Sequence, residues 1–235
     1  MDTCQVSVDT FDRFAERYAQ KYLALDTYDV YYRQFCLHVS RQGATVLDVA
    51  CGPGNVSAFL VRERPDLHVL GIDLAPSMIR LAKTQVPAAN FLVHDCRHLV
   101  ELGRVFDGIA YAFGLNYLNK EDAQHFFESL SKVLAPNGVL YLSTMSGPTE
   151  QSGLETSSSG DKIYVYYRPK NEIEQLVQSA GLAIEFLEEI ASPANASKAT
   201  IDVVLVARRV GFCEPVAAQP GIQEGLAQKR ASPLI

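Results

Sequence analysis

No stretch of this chain is rich in lysine and arginine, and none is apolar for long enough to span a membrane. With a net charge of −6, the first absence disfavours a broad phosphate-binding face, because nucleic-acid binders carry a basic excess or stripe. Residues 1–20 place acids early and contain no apolar signal core, which points away from secretion. The five cysteines, Cys4, Cys36, Cys51, Cys96 and Cys213, are scattered and form no CxxC pair. Reduced thiols in a cytoplasmic protein are expected, without a metal site. No internal repeat is visible. The expected partner is therefore a small molecule rather than nucleic acid or membrane, for a monomer or homodimer.

Hydrophobic residues make up 48% of the 235 and charged residues 20%, enough apolar material for one large domain with a cap. Asp9 to Ser40 has few breakers and reads as helix, in two pieces. From Thr45, short runs rich in Val, Ile and Leu alternate with amphipathic ones. "TVLDVA", "HVLGID", "NFLVHD", "VFDGIAYAF" and "GVLYLSTM" read as strands, with helical patterns at Val56–Arg62, Ser77–Gln85 and Lys120–Leu134. Such βαβ units predict a mostly parallel sheet covered on both faces. Pro76-Ser77 and Asn119 mark helix starts, and Pro136-Asn137-Gly138 a stop. Gly147 to Gly160 reads as a polar loop, mobile near the site or disordered. "KIYVYYR" predicts a strand and Lys170–Ala180 a helix ending at Gly181. "LAIEFLEEI" and "TIDVVLVARR" predict an antiparallel hairpin. The expected divisions are a helical cap at 1–44, a core at 45–210 with lid or substrate elements around 147–170, and a poorly ordered or weakly docked tail at 211–235.

The chemistry begins at "VLDVACGPGN", Val46 to Asn55. A parallel strand followed by a tight glycine turn aims the next helix's unpaired N–H groups at the strand's C-terminal edge. Gly52 and Gly54 leave room for a ligand to approach the backbone. Asp73 ends the second strand, where a carboxylate can accept from both hydroxyls of a ribose. Asp95 ends the third, where it can accept from an exocyclic amine such as that of adenine. The three strand ends together predict a nucleotide-like ligand. In a nicotinamide-dependent oxidoreductase the turn would read G-x-G-x-x-G, but Ser57 stands in the third glycine's place, and Asp48 and Asp95 would have no task.

"VLDVACGPGNVSAFL", "VLGIDLAPSMIRLAK", "FLVHDCRHL", "FDGIAYAFGLNYL" and "LSKVLAPNGVLYLSTM" resemble the successive motifs of the class I S-adenosylmethionine-dependent methyltransferases. "FDRFAERYAQKY" resembles the N-terminal cap of the small-molecule members, and "YVYYRPKNEIEQLVQSAGLAIEFLEE" their later segment. The resemblance implies a Rossmann-like seven-stranded sheet with an antiparallel C-terminal hairpin, helices on both faces, and S-adenosylmethionine as cofactor. It implies that Asp48 organises the methionine ammonium and that Ala50, Gly52 and Gly54 form the backbone cradle. Asp73 would hold the ribose, Leu74 and Met78 would flank the adenine, and Asp95 and the Cys96 N–H would face its amine. Ala112 and Phe113 would lie by the sulfonium. Ala50-Cys51 departs from the commoner Gly or Ser.

A sulfonium is already an excellent leaving-group centre, so alignment is the main requirement, and no catalytic dyad is visible in the sequence. Eight of the 11 tyrosines fall in two segments, residues 18–32 and 164–167, which the family tends to use as a roof. Tyr18 is expected as a lid contact to the cofactor. Tyr18, Asn116, Tyr117 and Arg168 are candidates for the acceptor site. His94 and His98 flank Asp95 at a spacing unsuited to a metal. "AFGL" occupies the place of an adenine-methylating tetrapeptide. The alternative from another class is a non-catalytic regulator that keeps the cofactor pocket.

Overall fold

The computed structural model describes residues 2–156, 160–194, 196 and 198–210. The chain opens with three helices, α1 (Thr3–Arg13), α2 (Ala15–Tyr22) and α3 (Asp29–His38). The breaker-poor stretch thus divides into three pieces rather than two. It also begins earlier than Asp9, because the Asp2 carboxylate accepts from the N–H groups of Cys4 and Gln5 and caps α1.

The alternating stretch forms β1 (Thr45–Val49), α4 (Asn55–Glu63), β2 (His68–Asp73), α5 (Pro76–Gln85) and β3 (Asn90–Val93). It continues through β4 (Phe106–Ala112), α6 (Lys120–Val133) and β5 (Leu134–Ser146). Pro76 opens α5, where its missing N–H costs no hydrogen bond. Asn119 caps α6 by accepting from the Asp122 N–H. The next elements are β6 (Gly153–Thr156), β7 (Lys162–Val165), α7 (Lys170–Ser179), β8 (Leu182–Ala191) and β9 (Ile201–Arg209).

Seven strands form one sheet in the order β3-β2-β1-β4-β5-β9-β8. The first five run parallel, and β9 and β8 add an antiparallel hairpin at one edge. Both faces are covered. Leu47 and Val49 pack with Phe126 of α6 and Ile173 of α7, while Val46 packs with Phe35 of α3 and Phe59 of α4. Burial on both sides explains why the strands read as nearly continuous apolar runs. Among the described residues, no helix is long and apolar enough to cross a membrane.

The described residues of the expected loop at Gly147–Gly160 hold more regular structure than its composition implied. A single turn at Thr149–Gln151 leads into β6, which pairs antiparallel with β7. Helix α1 lies along β7. Its Thr3, Ser7 and Thr10 share one face at helical spacing, and their hydroxyls engage Tyr166 Oη, the Tyr164 backbone and the Lys162 carbonyl. The unpaired edge of β7 is thereby satisfied by a helix instead of another strand. The expectation for 211–235 lies outside the described residues.

Candidate functional site

Strand order reverses between β1 and β4: the chain proceeds outward through β2 and β3, then returns to the other side. In open α/β sheets the crevice beyond the strands' C-terminal ends at such a reversal is where ligands bind. The turn after β1 sits there. Its backbone visits the left-handed region three times, at Ala50 (φ 52°), Gly52 (φ 54°) and Gly54 (φ 94°). Two of these are glycines, for which the conformation carries no steric cost. At Gly54 a Cβ would also lie 3.2 Å from Val86 Cγ2, since α5 packs closely against the turn.

Asp48 lies under the turn and is buried. Its Oδ2 accepts from the backbone N–H of Ser57 (3.0 Å) and from Ser57 Oγ (2.7 Å), at the start of α4. Its Oδ1 is buried without a partner. Burial raises its carboxyl to about 7, against the lowering effect of the Ser57 bonds, and the nearby Asp73 charge adds to the rise. Asp73 turns back onto the glycine turn. Its Oδ2 accepts from the Gly52 N–H and its Oδ1 from the Ala75 N–H, each at 2.9 Å. Burial raises this carboxyl too, with the backbone bonds opposing.

Above the turn stands a roof of rings. Tyr18 Cε1 lies 4.0 Å from the position of a Cβ on Gly52. Tyr18 contacts Tyr22 (ring centroids 4.7 Å apart) and Phe11 (5.7 Å), and Phe11 contacts Tyr117 (5.0 Å). Burial raises the Tyr18 and Tyr117 phenols, and each is also raised by the Tyr22 phenol beside it. Met78 is buried beneath α1 and α2, in a cluster that includes Ala15, Ala19 and the Tyr18 ring. Leu74 is half-buried beside it. Phe113 follows β4 with φ 57°, donates its N–H to the Ser143 carbonyl, and meets the Tyr28 ring at 5.0 Å. Ala112 is half-buried next to it.

Other predicted site residues have partners within the protein. β3 ends at Val93, and the Asp95 carboxylate is turned to Arg97, which donates from Nε (3.1 and 2.9 Å) and Nη2 (2.7 Å). The Arg97 backbone N–H donates to Asp95 Oδ1 as well, so both oxygens are engaged. Burial pushes this carboxyl up, but the Arg97 bonds and charge outweigh it and the net shift is down. Arg97 also reaches Asp2 (3.0 Å) and Asp122 (3.7 Å). The Cys96 side chain packs against the core on this side.

Asn116 is buried, with every polar atom in use: Nδ2 donates to the Met145 and Tyr166 carbonyls, and Oδ1 accepts from Thr144 Oγ1 and the Met145 N–H. Arg168 is also buried, donating to the carbonyls of Leu115, Leu118 and Asn119. Both side chains hold the β4–α6 connection; Asn116 has no polar atom left for an acceptor, whereas Arg168 has donors to spare, with Nε 3.6 Å from Glu172, and lines one of the open clefts. His94 Nε2 bonds the His98 carbonyl (3.0 Å), so the two rings do not converge. Two open clefts lie away from the turn. One, of about 260 Å³, is bounded by Lys120, Ser152, Tyr166 and Glu172, and the other, of about 360 Å³, by Thr45, His68 and Arg104 at the opposite end of the strands.

Sequence reading missed two contacts of this site. Ser57 on Asp48 was legible as a nine-residue spacing across a βα turn. The bond from Tyr28 Oη to Asp202 Oδ2 (2.6 Å) joins residues 174 apart and had no local signal.

A methyltransferase-domain family model matches residues 46–138. The chain is 30% identical over 163 residues to the demethylmenaquinone methyltransferase of Thermotoga maritima, covering 67% of this chain and 66% of that protein. It is 34% identical over 98 residues to the trans-aconitate 2-methyltransferase of Rhodopseudomonas palustris, covering 40% and 36%. The chain thus spans about two thirds or less of these curated relatives. The crystal structure of the magnesium protoporphyrin IX methyltransferase of Synechocystis PCC 6803 with bound S-adenosylhomocysteine superposes with a TM-score of 0.70 at 17% identity, covering 88% of this chain and 100% of that one. At that identity the likeness speaks for the fold.

Proposed function

The chain belongs to the class I S-adenosylmethionine-dependent methyltransferases, and from that premise we propose that it transfers a methyl group from S-adenosylmethionine to a small-molecule acceptor. One observation carries this reading. At the sheet's reversal, the buried Asp48 leaves Oδ1 without a partner beneath a left-handed glycine turn, whose Gly52 N–H is tied to the second acid, Asp73. An orphaned buried carboxylate oxygen suits an ammonium group, the bare backbone at Gly52 and Gly54 suits close approach, and the remaining lone pairs of Asp73 suit ribose hydroxyls. The residues present therefore fit the cofactor.

In this reading Asp48 holds the ammonium, Ala50, Gly52 and Gly54 cradle the backbone side, and Asp73 holds the ribose. Leu74 and Met78 flank the base, with the Cys96 N–H facing its edge, while Ala112 and Phe113 flank the sulfonium and Tyr18 closes over the turn. Bound there, S-adenosylmethionine supplies a methyl already activated on a positively charged sulfur. The protein's own work is to orient the acceptor, for which alignment supplies roughly 7–11 kcal/mol, and to exclude water with the aromatic roof. Small-molecule transfer is supported by the names of both curated relatives and by the net charge of −6. The rival nicotinamide reading is weakened further by Ser57. Its N–H and hydroxyl are both bound to Asp48, in the place where a third glycine would be needed.

Calorimetry with S-adenosylmethionine, S-adenosylhomocysteine and NAD tests the reading. The first two are expected to bind and NAD to fail, and Asp73→Ala is expected to weaken binding at least about tenfold, the loss of one charge-assisted hydrogen bond. Equal affinity in the variant would remove Asp73 from the ribose site, and binding of NAD alone would overturn the assignment.

A further inference from the structure

Among the described residues, Arg168 is the only buried arginine, at 4% exposed. A guanidinium presents five N–H donors in one plane. Three are spent here: Nη1 donates to the Leu115 carbonyl, and Nη2 to those of Leu118 and Asn119. Nε and one N–H of Nη1 remain. Nε stands 3.6 Å from Glu172 Oε1, close enough for an ion pair and too far for a hydrogen bond. Burial lowers the guanidinium from its ordinary value, and the Glu172 charge opposes that fall without cancelling it. Arg168 is thus a buried cation with a spare donor and an incomplete counter-charge.

The cleft of about 260 Å³ opens onto this side chain, and Arg168, Glu172, Lys120 and Thr149 all line it. A water's share of liquid is about 30 Å³, so the cleft has room for a small oxyanion and the atoms attached to it. Lys120 opens α6, is exposed, and makes no ion pair among the described residues. Helix α7 begins two residues after Arg168 with no side-chain cap, which leaves the N–H groups of its first turn available. Neighbouring charges are engaged elsewhere, Lys170 with Glu189 at 2.7 Å and Asp122 with Arg97 at 3.7 Å. The cleft therefore gathers two cations and a helix N-terminus against a single carboxylate, Glu172, which is partly exposed.

We propose that this cleft binds the phosphate group of a small molecule, with Arg168 Nε and Lys120 Nζ as its cationic donors and Glu172 as the carboxylate it displaces. Three carbonyls fix the guanidinium, so Nε is in place before a ligand arrives. The same bonds decide between oxyanions. A planar carboxylate grips arginine through Nε and Nη2 together, and both protons of Nη2 are already taken. Glu172 shows the consequence: four residues along the chain, its carboxylate stays 3.6 Å from Nε. A tetrahedral phosphate needs no such fork and can take Nε, an ammonium and helix N–H groups through separate oxygens. Its charge of about −1.5 to −2 also matches the two cations once Glu172 turns outward. The phosphate comes either on the methyl acceptor or on a separate effector. The turn that Arg168 clamps links the cleft to the roof, because Tyr117 within it meets Phe11. Binding of phosphate in the cleft does not depend on the methyl-transfer reading.

The test is an amide-resolved NMR titration of the full chain with inorganic phosphate, sodium chloride holding the ionic strength constant. Saturable shifts are expected at the amides of Lys120, Asn171 and Glu172. Glu172→Gln removes the competitor and should tighten phosphate at least about threefold, while Lys120→Ala should weaken it at least about threefold, the range for one partly exposed charge. Both positions are at the surface, and an unchanged melting temperature checks the fold. Arg168→Lys should abolish saturation; should it fail to fold, the two surface variants decide. Acetate should bind at least about threefold more weakly than phosphate. Shifts that never saturate, or a Glu172→Gln variant that binds phosphate no better than wild type, would overturn the site. So would an unchanged affinity in Lys120→Ala. Acetate binding as tightly as phosphate would overturn the phosphate class. A second arm repeats the phosphate titration with S-adenosylhomocysteine bound. Because coupling is reciprocal, a change of at least about threefold in phosphate affinity marks an effector site, and no change marks a subsite for phosphate carried by the acceptor. A protein that binds phosphate here and no adenosyl compound would sink the methyltransferase reading and leave the site standing.

Discussion

At the scale of single residues, Asp48 is the most consequential side chain. Burial holds its carboxyl near 7, far above an ordinary aspartate. A raised acid binds its proton more tightly in the folded state than in the unfolded one. Its contribution to stability is therefore fully present below about pH 4 and is lost as pH rises toward about 7. A cationic ammonium beside Oδ1 reverses the preference and favours the ionised form. Binding of S-adenosylhomocysteine near pH 6 is thus expected to release a substantial fraction of a proton, falling toward zero by about pH 8.5. Calorimetry in buffers of different ionisation enthalpy measures that release, and Asp48→Asn should abolish it. An unchanged release in the variant would place the titration elsewhere. Arg168 is decisive in another way: replacing it with Leu strands three carbonyls of the β4–α6 connection. A loss of at least about 2 kcal/mol in denaturant unfolding is expected, from the cost of leaving buried acceptors unmade.

At the scale of elements, the roof is held by hydrogen bonds between pieces far apart in sequence. Helix α5 has no side-chain cap of its own, and the Ser77 N–H in its first turn donates to Asp12 Oδ1 of α1 at 2.6 Å. Helix α1 thereby caps the helix that carries Met78. Asp12→Ala should cost about 1 kcal/mol, as loss of a cap does, and should expose α1 to faster amide exchange than the sheet beneath. Uniform exchange across both would show that α1 is held by its β7 contacts alone. The helices and strands of the alternating region were legible because their period and end signals are local: Pro76, Asn119 and Gly181 all mark observed boundaries. Strand β7 was legible in "KIYVYYR", but its partner β6 was not, because the segment around it reads as a polar loop and the pair is supported by the hydroxyl stripe of α1. Nor was the engagement of Asp95 by Arg97, since an acid at a strand end reads the same whichever way its side chain turns.

At the scale of the whole molecule, the parallel sheet and the roof meet at the crevice, so a ligand there ties them together. Saturating S-adenosylhomocysteine at 100 times its dissociation constant is expected to add about 2.7 kcal/mol. For a chain of this size that corresponds to a rise in Tm of roughly 5–10 °C, readable by differential scanning calorimetry, while NAD should leave Tm unchanged. A shift of similar size with NAD would contradict the proposed cofactor.

The sequence alone determined the layered α/β sheet, the glycine turn and the acids Asp48 and Asp73 at its edge. These follow from hydrophobic period, backbone freedom and residue chemistry, which act over a few neighbouring positions. Only the tertiary structure decided which side chains remain available. It committed Asp95, Asn116 and Arg168 to internal partners, left Asp48 Oδ1 unpaired, and brought Tyr28 onto Asp202. Those outcomes depend on which segments pack against one another, and buried polar groups take whatever partner the packing brings within reach.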